Sequence, residues 1–138
     1  MMKLKSIYDI AGRAMAAQMI RLNTVASNLA NAGSATNDPE TAYKPLKPEF
    51  KTEYSDNVKK NGLATVDVSK VIELKREPIK TYMPSHPAAD KNGYIYKAPV
   101  NIEEEMVDMM EASRQYQNNV EVLTTLKALT MKTLKIGK

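Results

Sequence analysis

Residues 101–136 read NIEEEMVDMMEASRQYQNNVEVLTTLKALTMKTLKI and contain neither glycine nor proline. An uninterrupted α-helix of this length would extend about 50 Å at 1.5 Å per residue. Carboxylates crowd the start of the stretch and lysines close its end, an order that complements the helix dipole. Asn101 is a suitable N-cap. The sequence therefore predicts one long C-terminal helix.

Apolar and small residues follow a spacing of four and three along this helix. A narrow stripe with that spacing is typical of a coiled coil, whereas the core-facing side of a globular helix is wider. The positions are Ile102, Met106, Met109, Ser113, Tyr116, Val120 and Leu123.

A second helix is predicted at the N-terminal end, over residues 6–31, with Gly33 as its stop. It carries a stripe of the same kind, with Val25 beside it. The stripe consists of Met15, Met19, Leu22, Ala26 and Leu29.

All seven prolines lie between residues 33 and 100, so the middle of the chain cannot continue either helix. Alternation in residues 63–74 and the short runs 79–83 and 94–96 indicate strands, with Asn92-Gly93 as a turn. Residues 33–62 are predicted to be an extended loop. The predicted segments are an N-terminal coiled-coil helix (1–32), a loop and short-strand middle (33–100) and a C-terminal coiled-coil helix (101–138).

The expected fold class is mainly α, with the two terminal helices paired as a coiled coil and a small irregular or β middle segment. The chain has no Trp, one Phe and nine Met, so rigid core-filling side chains are scarce. Helices of 40–50 Å are too long to pack only on a compact middle segment with a radius of gyration of about 11 Å. Their stripes must face each other, other subunits, or both, which indicates assembly.

Amide side chains cluster in the least charged part of each helix. They can hydrogen-bond between helices without the desolvation of a charge, and could fix register as a buried Asn does in a coiled coil; plain surface polarity is the alternative. The amides are Asn23, Asn28, Asn31, Gln115, Gln117, Asn118 and Asn119. The predicted assembly interface comprises Met15, Met19, Leu22, Val25, Ala26, Asn28, Leu29, Asn31, Met106, Met109, Ser113, Tyr116, Gln117, Asn119, Val120 and Leu123.

Candidate catalytic and metal-binding groups are few. His86 is the only histidine and could act as a general base oriented by Asp90, but a proline-rich turn is the better interpretation because no nucleophile motif lies nearby. The carboxylates of residues 103–105 point about 100° apart on a helix and would not converge on a cation. No cysteine, phosphate-binding loop or zinc spacing is present. We expect no enzyme activity, cofactor or metal.

Other classes of function are weighed by charge and hydropathy. The net charge of +4 is spread without a basic run, which argues against nucleic-acid binding. No apolar h-region follows Lys3 and Lys5, so neither a cleaved signal peptide nor membrane insertion is expected. A membrane-surface helix is disfavoured because residues 1–32 lack aromatic residues on the apolar stripe. A soluble coiled-coil adaptor or export chaperone of a secretion system remains an alternative.

Several motifs resemble those of bacterial flagellar rod and hook proteins. Residues 21–32 (RLNTVASNLANA) resemble the family's N-terminal signature, in which a tyrosine follows the turn. Residues 6–12 (SIYDIAG), 86–95 (HPAADKNGYI), 105–109 (EMVDM), 112–123 (ASRQYQNNVEVL) and 132–137 (KTLKIG) are similar to the proximal-rod members. The chain departs from the family pattern in its longer loop before Tyr43 and in the position of Pro99.

The resemblance implies a structural subunit of the proximal rod in the basal body of the flagellum. The rod is the drive shaft that transmits motor torque across the periplasm. It implies export through the flagellar type III channel without a cleaved signal peptide, and helices that pair around a central channel. The implied partners are other copies of the chain, the rod proteins FlgB, FlgF and FlgG, the base adaptor FliE and the MS ring.

Overall fold

A computed structural model of the chain describes residues 2–53 and 65–136. Helix α1 (Met2–Asn31) is followed by β1 (Ala35–Thr36) and a 3₁₀ turn (Pro39–Thr41). Four further strands come next, and helix α2 (Ile102–Ile136) ends the described chain. The strands are β2 (Leu46–Glu53), β3 (Thr65–Glu73), β4 (Ile79–Tyr82) and β5 (Tyr94–Lys97).

The two long helices are confirmed, and they pack against each other in antiparallel orientation. Their direction follows from two contacts: Asn28 bonds Glu105 near the start of α2, while Arg21, two turns earlier in α1, reaches Glu111. The prediction placed the start of α1 four residues too late.

Hydrogen bonds stabilise the C-terminal end of α1 and the N-terminal end of α2. Asn101 is confirmed as the cap of α2, because its Oδ1 accepts hydrogen bonds from the amides of Glu103 (3.1 Å) and Glu104 (3.3 Å). At the end of α1, Ser34 donates from both its backbone amide and its hydroxyl to the carbonyl of Asn31. Gly33 does not adopt a positive φ. The helix ends at Asn31, two residues before the predicted stop at Gly33.

Strands β1, β5 and β4 form a three-stranded antiparallel sheet in that order. The predicted looped hairpin is confirmed: β4 and β5 pair from Ile79 with Lys97 to Tyr82 with Tyr94. Gly93 has a φ of 81°, which the predicted Asn-Gly turn requires. Ile95 is fully buried at the centre of this sheet.

The second sheet is a hairpin of β2 and β3, with a register shift after Glu49. It packs on α1. The prediction of β3 is confirmed, but the prediction of a loop over 33–62 is wrong for residues 46–53. Pro48 and four charged residues made β2 unlike a central strand, yet proline and lysine are common on edge strands, and β2 is one. It is also wrong for residues 35–36, which form β1, and residues 54–62 of the predicted loop lie outside the described chain.

The buried core is small and consists mostly of alanine. Among the described residues, the buried apolar side chains are Ala11, Ala17, Val25, Ala42, Pro45, Ile95, Ala98 and Ala112. Small side chains let the helices and the middle segment approach closely, but they bury little apolar area each. Hydrogen bonds between the elements therefore contribute a large share of the specificity of the fold.

Replacement of Gly93 by Ala tests the turn. A Cβ at this position would lie 2.9 Å from Cε2 of Tyr82 and 3.1 Å from Cβ of Pro84, in addition to the positive φ. We expect the free energy of unfolding to fall by about 1–3 kcal/mol, measured by urea denaturation followed by circular dichroism.

Gly12→Ala is the matched control, because Gly12 lies in α1 with open space where a Cβ would stand. That replacement should raise stability by up to about 1 kcal/mol through helix propensity. Equal effects of the two substitutions would contradict this account of Gly93.

Candidate assembly interface

The side chain of Asn28 joins three parts of the molecule. Its Nδ2 donates to the carbonyl of Leu46 (2.9 Å) and to Oε2 of Glu105 (3.0 Å). Its Oδ1 accepts from the amide of Leu46 (2.8 Å) and from the hydroxyl of Tyr43 (2.9 Å). A side-chain amide can make about four hydrogen bonds, and Asn28 makes all of them while only 2% exposed. It therefore connects α1, the start of β2 and α2.

The two bonds to Leu46 resemble the pairing of neighbouring strands, because one amide group contacts both the N–H and the C=O of one residue. The Leu46 amide can only donate and its carbonyl can only accept, so this pairing fixes the orientation of the Asn28 amide. It also occupies the outer edge of β2 where the strand begins.

Tyr43 extends the network back to α1. Because its hydroxyl proton is directed to Asn28, the Ser27 hydroxyl donates to the Tyr43 oxygen, at 3.1 Å. The signature residues Ser27 and Asn28 thus hold the tyrosine that follows the long loop. These two bonds give Tyr43 a defined position.

Arg21 supplies the electrostatic contact between the helices. Its side chain is only 19% exposed, and Nη2 lies 2.5 Å from Oδ1 of Asp108 and 3.7 Å from Oε2 of Glu111. The two carboxylates are three residues apart and so lie on one side of α2. A part-buried arginine between them fixes how α1 lies along α2.

The face of α2 that is turned toward α1 differs partly from the predicted stripe. Its least exposed positions again follow the four-three spacing, and Ala112 is fully buried. We call these positions the inner seam of α2: Glu105, Met109, Ala112, Tyr116, Asn119, Leu123, Leu126 and Thr130. The predicted residues Met109, Tyr116, Asn119 and Leu123 belong to it.

The other predicted residues of α2 lie on a neighbouring face that remains largely exposed. We call this face the outer seam of α2: Met106, Met110, Ser113, Gln117 and Val120. Met110 is 72% and Val120 40% exposed, and Ser113 is half-buried. The helix therefore carries two stripes with the same spacing.

Helix α1 shows the same division. Val25 and Asn28 of the predicted set are buried, together with Ala11, Ala17 and Thr24. The predicted stripe lies beside this buried face and is offset from it by about one residue, since Ala26 follows Val25 and Leu29 follows Asn28. Met19, which belongs to the stripe, is 44% exposed. We call this stripe the outer seam of α1: Met15, Met19, Leu22, Ala26 and Leu29.

The predicted amides have different surroundings. Asn28 bonds between elements, whereas Nδ2 of Asn31 donates to the carbonyl of Ser27 in its own helix. Asn119 is half-buried on the inner seam. The remaining four amides are exposed: Asn23, Gln115, Gln117 and Asn118.

Sequence reasoning missed several groups at the contact between the helices: Arg21, Tyr43, Glu105, Asp108 and Ala112. A search for apolar stripes passes over charged residues because they are rarely buried without a partner. The detectable signal was the opposite charge of Arg21 and the acidic start of α2, combined with an antiparallel arrangement.

The candidate catalytic groups His86 and Asp90 have structural roles. Nδ1 of His86 accepts from the amide of Ala88 (3.0 Å), and Oδ1 of Asp90 accepts from the amides of Asn92 and Tyr94 (2.8 Å each). Both residues thus stabilise the turn before β5. No cluster of three or more possible metal-binding side chains occurs in residues 2–53 and 65–136.

No helix in the described part of the chain is long and apolar enough to cross a membrane.

Comparison with protein families identifies the class of protein that these helices define. A family described as flagella basal body rod protein matches residues 9–33, and one described as the C-terminal part of the flagellar basal body rod FlgEFG proteins matches residues 91–136. The matches cover most of α1 and all of α2, so the class is that of flagellar rod proteins.

Full-length relatives narrow this class. The flagellar basal-body rod proteins FlgC of Salmonella typhimurium, Escherichia coli O157:H7 and Yersinia enterocolitica are 43%, 42% and 39% identical to the chain. Each alignment spans 137 residues, 99% of this chain and 100% of the relative. The chain belongs to the FlgC family. It is a structural subunit of the flagellar basal-body rod and not an enzyme, and it assembles with other rod components.

Replacement of Asn28 by Ala tests the central junction. It would leave the amide and carbonyl of Leu46, and the Tyr43 hydroxyl, without their buried partner. We expect the free energy of unfolding to fall by about 2–4 kcal/mol, measured by urea denaturation.

Asn23→Ala is the matched control, since it removes the same side chain from an exposed position of the same helix. It should change stability by less than about 0.5 kcal/mol. A loss at Asn28 no larger than the loss at Asn23 would contradict the role of the junction.

Replacement of His86 by Ala should leave swimming and rod formation intact, because the side chain accepts one local hydrogen bond in a turn. Swarm diameter on soft agar and electron microscopy of isolated basal bodies provide the measurement. A folded His86→Ala protein that builds rods but does not support swimming would indicate a role beyond the turn.

Proposed function

We propose that the chain is a proximal-rod subunit that forms the drive shaft by packing its two helices through both of their stripes. The inner faces pair within the chain, and the outer seams of α1 and α2 pair with neighbouring subunits. The observation that carries the proposal is the outer seam on each helix, which is apolar for the most part and only partly covered in the single chain. Met19 and Ala26 on α1, and Met106, Met110, Gln117 and Val120 on α2, are exposed, and the other members are half-buried. A stripe of this kind is uncommon on a helix whose outer face only meets water.

The composition of the outer seams supports packing of helix on helix. On α2 the stripe combines Met106 and Met110 with Ser113, and on α1 it combines Met15 and Met19 with Ala26. Methionine adapts to an uneven partner surface, and the small residues let a neighbouring helix approach. Charged residues are absent from both stripes.

The four-three spacing of all these stripes supports supercoiling of the helix pair as a coiled coil. Inner-seam residues Met109, Tyr116 and Leu123 recur every seven positions, and a strict seven-residue period favours a left-handed supercoil. The antiparallel contact of α1 with α2 supplies the partner that such a coil requires.

The proposed partners are neighbouring copies of this chain and the rod proteins FlgB, FlgF and FlgG, with the adaptor FliE and the MS ring at the base. The match of the family models to most of α1 and to all of α2 supports shared helix packing among the rod proteins. Because subunits of different kinds would present comparable helices, one packing arrangement could join all of them along the shaft.

Transmission of torque requires that subunits resist rotation against each other. Long helices in contact over their whole length multiply small packing energies, and the Arg21 ion pairs oppose sliding of α1 along α2. The chain therefore combines an α1–α2 pair of fixed geometry with outer seams that bind neighbouring subunits.

Replacement of Val120 by Asp tests the outer seam. A carboxylate on this stripe would have to be buried without a partner when a neighbouring helix packs there. We expect at least a tenfold loss of the chain from isolated basal bodies and loss of swimming, with the circular dichroism of the purified monomer unchanged. Quantitative immunoblotting of basal bodies measures the incorporation.

Val122→Asp is the matched control, because Val122 is similarly exposed (46%, against 40% for Val120) and lies two residues away, off the outer seam. This variant should be incorporated. Normal swimming of the Val120→Asp strain, or equal losses at the two positions, would contradict the proposal.

A further inference from the structure

Four cations gather at one edge of the middle segment. Lys44, Lys75, Arg76 and Lys80 surround a depression of about 580 Å³ that is also lined by Pro39, Pro78 and Tyr96. All four are exposed. Among the described residues, none of the four has a carboxylate oxygen within 4 Å of its charged nitrogens. Glu40 and Glu77 also border the depression, so its net charge is +2. We call these four residues the basic patch.

The backbone beneath the basic patch is held in place. The amide of Leu74 donates to the carbonyl of Pro45 (2.7 Å), which joins the segment that carries Lys44 to the one that carries Lys75. Pro45 is fully buried. The amide of Arg76 donates to the carbonyl of Leu74 (2.9 Å). A partner would therefore meet positions that are already fixed, which lowers the entropic cost of binding.

Lys80 is also oriented before any partner binds. Its Nζ lies 4.1 Å from the ring centroid of Tyr94. Tyr94 in turn makes an edge contact with Tyr82, with ring centroids 5.2 Å apart. A cation over an aromatic face is attracted by the ring quadrupole. The contact therefore restricts the conformations of the Lys80 side chain.

The basic patch lies outside the part of the chain that is common to the rod families. The family models match residues 9–33 and 91–136, whereas all four cations fall between them. The shared helices supply a common mode of packing. A surface in the intervening segment can instead distinguish one rod component from another.

We propose that the basic patch binds an acidic protein surface on a different component of the basal body. Charge favours a different component over a second copy, because this chain carries a net charge of +4 and a component with an acidic surface would attract the basic patch more strongly. Complementary charge at such a contact selects the partner and its register more than it adds affinity. The inference rests on the proposed function, since both concern a subunit that is built into the rod.

Charge reversal in the full-length chain tests the proposal. The variant replaces the wild-type protein in a motile strain and is the only copy of this chain that the cells make. The Lys75→Glu, Lys80→Glu double variant should be incorporated into basal bodies at least tenfold less than the wild type. The unfolding curve of the purified monomer should remain unchanged. Lys75→Arg with Lys80→Arg keeps the charge and should be incorporated as the wild type is.

The matched control is Lys51→Glu with Lys91→Glu, which makes the same change in net charge at two exposed lysines of the middle segment outside the basic patch. This variant should be incorporated normally. Equal loss in the control would show that net charge alone matters and would overturn the proposal, as would normal incorporation of the Lys75 and Lys80 double reversal.

A second experiment distinguishes contact between two copies of this chain from contact with another component of the basal body. Glu103 and Glu104 are the exposed carboxylates at the start of α2. If two copies met through these groups, Glu103→Lys with Glu104→Lys in the reversed chain would restore incorporation and overturn the choice of partner. Continued loss supports a different component. Failure of the proposed function would appear separately, as normal incorporation of Val120→Asp.

Discussion

A side-chain amide removed from water must find all of its hydrogen bonds inside the protein, and the arrangement of this chain follows from how Asn28 does so. Its four partners come from the backbone of Leu46, the hydroxyl of Tyr43 and the carboxylate of Glu105. Only one placement of the loop, of β2 and of α2 satisfies them together. With a core made mostly of alanine, apolar packing alone would not discriminate strongly between neighbouring registers, so the geometry of hydrogen bonds does.

The ion pairs of Arg21 act in the same direction at a distance of two helical turns. A slide of α1 by one turn, about 5.4 Å, would separate Arg21 from Asp108 and break the Asn28 contacts at once. The two polar sites thus fix both the position of α1 along α2 and its rotation about its own axis. A subunit of a shaft needs this property, because torsional load is then carried by a helix pair of defined geometry.

The sequence was sufficient to predict both helices, the Asn101 cap, β3 and the β4–β5 hairpin, because each depends on local signals such as spacing, capping and turn residues. It was not sufficient for β2, whose strand conformation depends on pairing with β3. Nor did it reveal which stripe of each helix is buried. The predicted stripe of α1 is apolar, yet Arg21 lies on the inward side of that helix because its partners, Asp108 and Glu111, come from residues distant in the chain. The motifs of residues 21–32 and 112–123 identified the family without settling any of these contacts.

The two sides of the helix pair differ in how far the single chain completes their packing. Between the helices, an arginine, an asparagine and several carboxylates act together with apolar residues of the inner seam such as Ala112 and Leu123. On the other side, Met110 and Val120 of the outer seam of α2 remain exposed. Apolar surface that one chain leaves in water is removed from water only when another chain covers it. We therefore expect assembly to add stability that the isolated molecule lacks.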